Sequence, residues 1–513
     1  MVGDEVGLIQ RIKDLFWKGA AATGVTGSLS KITDDPRISI DPDEYVRIQT
    51  DLEYYSDKLQ YIHYQASDGI GKKRPKNTIN MTKTAARRIA SVVFNEKAEI
   101  HVKDNNKADK FLNNVLEDND FKNKFEEALE KGVALGGFAM RPYIDGNRIK
   151  IAWVRADQFY PLQSNTNDIS EAAIASRTQR TESNQTKYYT LLEFHQWQAN
   201  GSYQITNELY KSDSPDIVGD QVPLSTLPVY KELAPQVTIS GLQRPLFAYF
   251  KTPGANNINI ESPLGLGVVD NAKHVLDDIN DTHDQFIWEI RLGQKHIAVQ
   301  PGMLRFDGEH KPTFDTEQNV YVGVLSDDNN GLGVKDMTTP IRTVQYKDAI
   351  DHFIKEFEVQ IGLSTGTFSY SNDGVKTATE VVSNNSMTYQ TRSSYLTMVE
   401  KAIDELCQSI FELANASDLF DDGKPLFTLN SASQPLDIEC HFDDGVFVNK
   451  DKQLEEDAKV LAIGALSKQT FLQRNYGMTD EQVAEELAKI QSEAPTDTFE
   501  GGRSAILSGG DGE

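Results

Sequence analysis

Residues 262–292, SPLGLGVVDNAKHVLDDINDTHDQFIWEIRL, are the most informative stretch of this chain. Serine followed by proline is a favoured helix start, because a serine hydroxyl caps free N–H groups and proline suits the first helical turn. Apolar residues then recur at helical spacing from Val268 to Ile290. This spacing predicts one long amphipathic helix over 263–292.

An insert and two further helices follow this stretch. Residues 293–343 are strand-like and punctuated by glycine, and residues 344–361 return to helical spacing. A third helix, 377–415, opens at Thr377 with a capping-box pattern. Between the last two helices lies a polar, glycine-rich segment, 362–376. It is longer than an ordinary connection of about 2–8 residues, so we expect it to be functional.

The flanking regions predict an α+β body. Residues 41–262 hold helical patterns followed by two β-hairpins, with turns at Asp145-Gly146-Asn147 and Ala199-Asn200-Gly201. Strands that pair locally argue against a doubly wound sheet. The remaining parts are expected to be a flexible arm at 1–40, strands within 416–449, a helical module at 450–494 and a disordered tail at 495–513.

Composition predicts an acidic, folded, intracellular protein. The 513 residues include 52 Lys and Arg against 77 Asp and Glu, a net charge of −25. Such a balance argues against coating nucleic acid, which requires basic side chains to neutralise phosphates. No apolar run approaches ~20 residues, so no membrane span is expected, and the N-terminal segment does not fit a secretory signal. Two cysteines, Cys407 and Cys440, predict a reducing compartment without a disulfide framework.

An acidic cluster on the 263–292 helix is the first candidate site. Its members recur at three- and four-residue steps and so share one face: His274, Asp277, Asp278, Asp281 and Asp284. Oxygen ligands at this spacing suit a divalent cation, which leaves a metal-dependent hydrolase as an alternative function. We favour a solvated acidic stripe, because charge runs on helices are usually exposed faces.

Two other segments carry candidate binding residues. An acid-free basic run would suit phosphates, but pairing with acids of a neighbouring subunit is favoured. Its candidates are Lys72, Lys73, Arg74, Arg87 and Arg88. The glycine-rich segment contributes Ser364, Thr365, Phe368, Tyr370, Asn372 and Lys376. No phosphate-binding loop, nucleophile elbow or zinc-ligand spacing occurs in the sequence, so we expect no catalytic residue, cofactor or bound metal.

The order of these parts resembles the portal proteins of tailed double-stranded DNA bacteriophages, specifically the type found in long-tailed phages of Gram-positive hosts. The resemblance covers about residues 45–493. It is carried by Ser262-Pro263-Leu264-Gly265, the insert, the run Lys376-Thr377-Ala378-Thr379-Glu380-Val381, and residues 438–448 with the helices that follow. His441 is one departure, because the family often has a bulky aromatic residue in that strand.

The resemblance implies names for the parts and a shared architecture. Residues 41–262 and 416–449 correspond to a wing, 263–292 and 344–361 to a stem, 293–343 to a clip, 362–376 to a tunnel loop, 377–415 to the long helix behind it, and 450–494 to a crown. Portals of this kind are not enzymes. They are homo-oligomeric rings, dodecamers, at one capsid vertex, through which DNA enters and leaves.

The resemblance also implies partners and a location. The expected partners are the terminase large subunit, a head-to-tail adaptor, the major capsid and scaffolding proteins, and double-stranded DNA that passes without sequence specificity. The protein is expected in the virion after assembly in the host cytoplasm, without membrane contact. The loop candidates would face DNA, and the acidic stripe would line the channel, where tight phosphate binding would act as a brake. An acidic capsid adaptor or scaffolding protein is a further alternative.

Overall fold

The computed structural model describes most of residues 28–293, short strands between 297 and 336, residues 340–369, most of 386–442 and most of 450–493. Short gaps within these ranges fall at 59, 66–70, 96, 165–167, 421–422, 429–434, 477 and 479. The chain divides into two compact units, residues 1–372 with 386–443 and residues 373–385 with 444–513.

Seven helices are described in the larger unit, several with the capping residues that the sequence supplies. Asn80 and Asn105 accept the N–H groups of Lys83 and Ala108, which satisfies backbone donors that a helix start leaves free. The bounds are α1 Pro42–Tyr55, α2 Met81–Val93, α3 Asn106–Asp118, α4 Phe121–Leu135, α5 Lys273–Leu292, α6 Thr343–Gln360 and α7 Ser386–Asn415.

The described strands pair antiparallel throughout. Their bounds are β1 Ser28–Leu29, β2 Tyr61–Gln65, β3 Gly71–Pro75, β4 Glu99–Val102, β5 Gly137–Asp145, β6 Arg148–Arg155, β7 Phe159–Ser164, β8 Ile169–Glu182, β9 Gln185–Trp197, β10 Tyr203–Ser212, β11 Gly219–Val222, β12 Gln236–Ile239, β13 Ala248–Lys251, β14 Ile297–Val299, β15 Arg305–Phe306, β16 Pro312–Thr313, β17 Val334–Asp336 and β18 Ile438–His441.

The largest described sheet has seven strands in the order β1-β11-β10-β9-β8-β7, with β12 also paired to β10. A second sheet has the order β13-β5-β6. Both hairpins predicted from turn residues are present: β5 and β6 pair across Gly146-Asn147, and β9 and β10 pair from Trp197 with Tyr203. The expected α+β class is confirmed, because neighbouring strands pair locally and helices pack beside them.

Aromatic side chains form the centre of the larger unit's core. Phe125 and Phe138 lie 5.7 Å apart between ring centroids, and Phe138 lies 5.1 Å from Phe250. All three are fully buried. This cluster joins α4 to the β13-β5-β6 sheet, so it stabilises the end of β13 that leads into the 262–272 segment.

The predicted helix over 263–292 is wrong in its first part. Helix α5 begins at Lys273, and residues 263–272 are irregular, with turns at 268–272, and lie against the end of α4. The Val268 N–H donates to the Val133 carbonyl oxygen at 2.9 Å. Added Cβ atoms at Gly265 and Gly267 would lie 2.2 and 2.4 Å from backbone oxygens. The two glycines therefore serve this close backbone contact, which a helix would prevent.

Three smaller differences separate structure and expectation. Residues 28–40 join the core through buried Ile32, Ile38 and Ile40 instead of forming a flexible arm. The basic run begins on β3, which forms a hairpin with β2 in a region where the pattern is mainly helical. Residues 423–428 are irregular and bent, although strands are expected within 416–449, whereas β18 in the same range pairs with β4. Most of the insert, and the predicted helix start at Thr377, lie outside the described residues.

The smaller unit is helical where it is described. Its helices are α8 Lys450–Ala462, α9 Lys468–Tyr476 and α10 Asp480–Glu493. Asn475 Nδ2 donates to the Asp457 carboxylate at 2.9 Å and joins α9 to α8. Across all the described residues, every helix is too short or too polar to span a bilayer.

Candidate functional site

The chain that leaves α6 is folded around one buried carboxylate. Glu358 is fully buried near the end of α6. Its oxygens accept N–H groups from Gly366 at 3.0 Å, from Phe368, and from Ser369 at 2.8 Å. The Ser369 hydroxyl donates a further bond at 2.9 Å. Gly362 and Gly366 have positive φ values of 76° and 92°, which bring this chain back over the helix end.

The same segment is bonded to the start of α7. The Ser364 N–H donates to Thr388 Oγ1 at 2.9 Å, and the Thr388 N–H donates to Ser364 Oγ at 3.2 Å. The Thr391 hydroxyl donates to the Gly362 carbonyl oxygen at 2.6 Å. We call residues 362–369 with these partners the loop base. It holds the end of α6 next to the start of α7.

The candidates of the 362–376 segment have different environments. Ser364 is buried within the loop base, so its predicted exposure to a channel is wrong. Thr365 is exposed. Phe368 is half-buried and packs against the core. Three other candidates lie outside the described residues: Tyr370, Asn372 and Lys376.

The acidic and basic clusters meet within one chain. The Arg74 guanidinium donates to both oxygens of Asp284 at 2.6 Å, and the Asn77 N–H donates to the same carboxylate at 2.9 Å. Arg74 also stacks 4.5 Å from the centre of the Trp288 ring. The bond from Arg74 is the largest cause that holds the pKa of Asp284 at about 2. Asp284 is buried, so it is not a solvent-facing member of the stripe, and Arg74 is not free for a neighbouring subunit.

The rest of the acidic cluster is more exposed. Asp281 forms an ion pair with Lys76 at 2.6 Å and remains exposed. Asp277 accepts the Tyr54 hydroxyl at 2.8 Å. Asp278 and His274 are exposed. The described part of the chain contains no group of three or more His, Cys, Asp or Glu side chains suited to a metal ion.

The remaining basic candidates stay on the surface. Lys72 and Lys73 are exposed on β3, with Lys73 Nζ 5.1 Å from the centre of the Tyr61 ring. Arg87 and Arg88 are exposed on α2. Of the five candidates in the basic run, all except Arg74 are therefore still exposed for contact with a neighbouring subunit.

A second charged contact holds the two ends of the insert beside each other. Arg342, just before α6, donates to the Glu289 carboxylate at 2.6 Å through its guanidinium and at 2.9 Å through its N–H. The Tyr346 hydroxyl donates to the same carboxylate at 2.8 Å. These bonds, led by that of Arg342, lower the pKa of Glu289 to about 2. The end of α5 and the start of α6 are thus fixed beside each other.

Sequence reasoning missed a buried ionic network at the base of α5. Arg47 contacts Asp270 at 2.6 Å, Glu44 at 2.8 Å and Asp51 at 3.3 Å, and Lys273 contacts Asp270 at 2.7 Å. The i, i+3 and i, i+4 spacing of the three α1 residues is a usable signal for such pairs. Nothing in that spacing shows that the pairs are buried, or that Asp270 joins them from a distant segment.

Asp284→Asn is expected to destabilise the larger unit by about 1–3 kcal/mol at pH 7. The folded pKa of about 2 lies below the ordinary value of 3.8, so this stabilisation is present above pH 3.8 and is lost as the pH falls towards 2. Urea unfolding followed by tryptophan fluorescence would measure it. Asp278→Asn, on the same helix but exposed, is the control; equal effects of the two variants would contradict the assignment.

Comparison with known proteins identifies the family. Residues 34–497 match the family of phage portal proteins described as SPP1 Gp6-like. Because this match covers most of the chain, the chain belongs to the phage portal protein family. Its function is that of a bacteriophage portal protein in the head–tail connector, which confirms the resemblance found in the sequence.

The chain is similar to a structure described as "Neck of native GTA particle computed with C12 symmetry", with 10% identity over 76% of this chain and 87% of that chain and a TM-score of 0.35. It is similar to "Neck of empty GTA particle computed with C6 symmetry" with 10% identity over 78% and 88%, and a TM-score of 0.36. Among curated proteins nothing matches.

Proposed function

We propose that this chain forms a closed ring, a dodecamer, at one vertex of the phage capsid. DNA passes through its central channel during packaging and ejection. The ring docks the terminase large subunit first and a head-to-tail adaptor later, and it contacts the major capsid and scaffolding proteins during assembly. The observation that carries the proposal is the family match over residues 34–497.

The exposed surfaces of α5 and α6 support assembly with further copies. Within the described residues, α6 buries only Phe357 and Glu358. Val344 near its start is 65% exposed, and Leu292 at the end of α5 is 53% exposed. Apolar surface of this kind on paired helices usually meets a partner. In a cyclic ring, the neighbouring copies supply that partner.

Charge supports passage of DNA without tight binding. A net charge of −25 disfavours strong phosphate contacts, each of which would slow a sliding duplex. We propose that exposed Asp278 and Asp281 face the channel and that Lys376 is one of the few cations near DNA. Asp284 has no part in this surface, because Arg74 holds it within the chain.

The parts are assigned with bounds adjusted to the structure. Helices α5 and α6 are proposed as the stem, residues 293–342 as the clip, and α8 to α10 as the crown. The described insert strands β14 to β17 are two or three residues long. Short hairpins of this size are marginal alone, so we propose that the clip completes its sheet with strands from an adjacent subunit.

A portal needs no catalytic residue of its own. ATP hydrolysis for DNA translocation is assigned to the terminase partner. The metal-dependent hydrolase is not favoured, because Asp281 and Asp284 have Lys76 and Arg74 as partners.

The proposal predicts rings of about twelve subunits with a central hole. Native mass spectrometry and negative-stain imaging of the full chain would measure the subunit number and the hole. The chain should be purified alone and after co-expression with its capsid and scaffolding proteins. Monomers under both conditions would contradict the proposal.

A further inference from the structure

We propose that Glu358 is a positioning residue for the proposed tunnel loop: its carboxylate fixes residues 364–369 and so sets where the chain leaves α6. The inference rests on the proposed function, because it gives the loop base a role in DNA passage. It is argued only from hydrogen bonds within the loop base.

The environment of Glu358 is unusual for a carboxylate. It is fully buried, and its neighbours in the described structure are hydrogen-bond donors of residues 366–369 and not a cation within ion-pair distance. A buried carboxylate is costly unless hydrogen bonds satisfy it. Three backbone N–H groups and one hydroxyl do so here. At Phe368 and Ser369, the same bonds satisfy backbone donors that the turn would otherwise leave unpaired.

The geometry requires the anion and not merely a polar side chain. Converging N–H groups form a nest that accepts negative charge, and the positive φ of Gly366 permits this convergence. A carboxylate accepts at both oxygens. A glutamine amide has one acceptor oxygen, and its NH₂ group would take the place of the second oxygen and face N–H donors. Glu358→Gln therefore preserves shape while it breaks the nest.

The loop base also couples two helices. Glu358 bonds the segment to α6, and the paired bonds of Ser364 with Thr388 bond it to α7. A change in the position of the loop base relative to α6 must break the first set of bonds. A change relative to α7 must break the second. The direction in which the chain departs is thus set jointly by both helices.

The test compares Glu358→Gln with Glu356→Gln in the full, assembled protein. Glu356 lies on the same helix, is exposed and contacts only His352 among described ion pairs, at 3.5 Å. Hydrogen exchange would follow the amides of Gly366, Phe368 and Ser369. We expect Glu358→Gln to speed their exchange by about tenfold or more and the control to leave it unchanged.

A functional readout separates positioning from simple stability. Rings of Glu358→Gln that assemble and melt like the control should package DNA into capsids at least about tenfold less well, since the loop base no longer holds one position. Unchanged exchange, or faster exchange with normal packaging, would overturn the proposal. If Glu358→Gln does not fold, Ser369→Ala, which removes one donor, replaces it with the same criteria. Wild-type protein that forms no rings, either alone or after co-expression with its capsid and scaffolding proteins, would instead contradict the proposed function.

Discussion

Arg47→Met is expected to destabilise the larger unit by about 3–5 kcal/mol at neutral pH. Arg47 is buried and contacts Glu44, Asp51 and Asp270 at 2.6–3.3 Å. Removing its charge leaves three carboxylates with Lys273 as the remaining cation of the network. Methionine fills much of the same volume, so the loss reports uncompensated buried charge more than a cavity.

The pH dependence of this variant has a defined sign. Burial, followed by the nearby charge of Asp270, already raises the pKa of Asp51 above its ordinary value of 3.8. Loss of Arg47 raises it further, because an attractive charge is removed. A folded pKa above the unfolded one means that the folded state binds the extra proton, so stability falls as the pH rises. Arg47→Met should therefore lose more stability at pH 8 than at pH 5.

Urea unfolding at both pH values would measure the two effects. Lys58→Met is the control. Lys58, just beyond the end of α1, forms an ion pair with Glu53, but 65% of the Lys58 side chain is exposed. An exposed pair contributes about 0–1 kcal/mol. The double variant Arg47→Met with Asp270→Asn should recover part of the loss, because it removes one unpaired anion. A loss no larger than that of Lys58→Met would show that the network is not stabilising.

Local patterns predicted the elements of the fold well. The turns at Asp145-Gly146-Asn147 and Ala199-Asn200-Gly201 placed two hairpins, because glycine and asparagine permit the turn conformation whatever surrounds it. The spacing of apolar residues placed α6 within one residue at each end. Both kinds of signal depend on neighbours in sequence, so a sequence contains them in full.

Contacts between distant segments were not predictable in the same way. Arg74 and Asp284 each stood in a recognisable cluster, but they are 210 residues apart, and only the fold shows that they pair. Ser364 and Glu358 followed the patterns of a polar loop and a helix surface. Ser364 is covered through its bonds with Thr388 of α7, and Glu358 is covered by the returning residues 366–369. Candidate charges could therefore be found from sequence, while their partners and exposure could not.

At the start of α5, the local capping signal and the tertiary contact favour different structures. Ser262-Pro263 satisfies the local rule for a helix start, yet residues 263–272 are irregular, with turns at 268–272. The Leu264-Gly265-Leu266-Gly267 run is needed for backbone contact with Gly136 and Ala134. This contact contributes more than the helical turns it replaces, as tertiary packing often overrides propensity.

Gly265→Ala tests that explanation and is expected to destabilise the larger unit by about 3 kcal/mol or more. Its Cβ would lie 2.2 Å from the Gly136 carbonyl oxygen and 2.3 Å from Thr252 Oγ1. Gly136 has a φ of 95°, which favours glycine. Its backbone lies directly against that of Gly265, so the added Cβ cannot be accommodated by a shift of one segment alone.

Soluble yield and urea unfolding of Gly265→Ala would measure this effect. Gly71→Ala is the matched control: an added Cβ there has no heavy atom within 4 Å, and its stability should change by less than about 0.5 kcal/mol. A helix beginning at Pro263 would tolerate alanine at 265 and even gain from it, since alanine is the better helix former. The direction of the change therefore distinguishes the two structures: a loss indicates the glycine contact, and a gain indicates the helix that the local sequence favours.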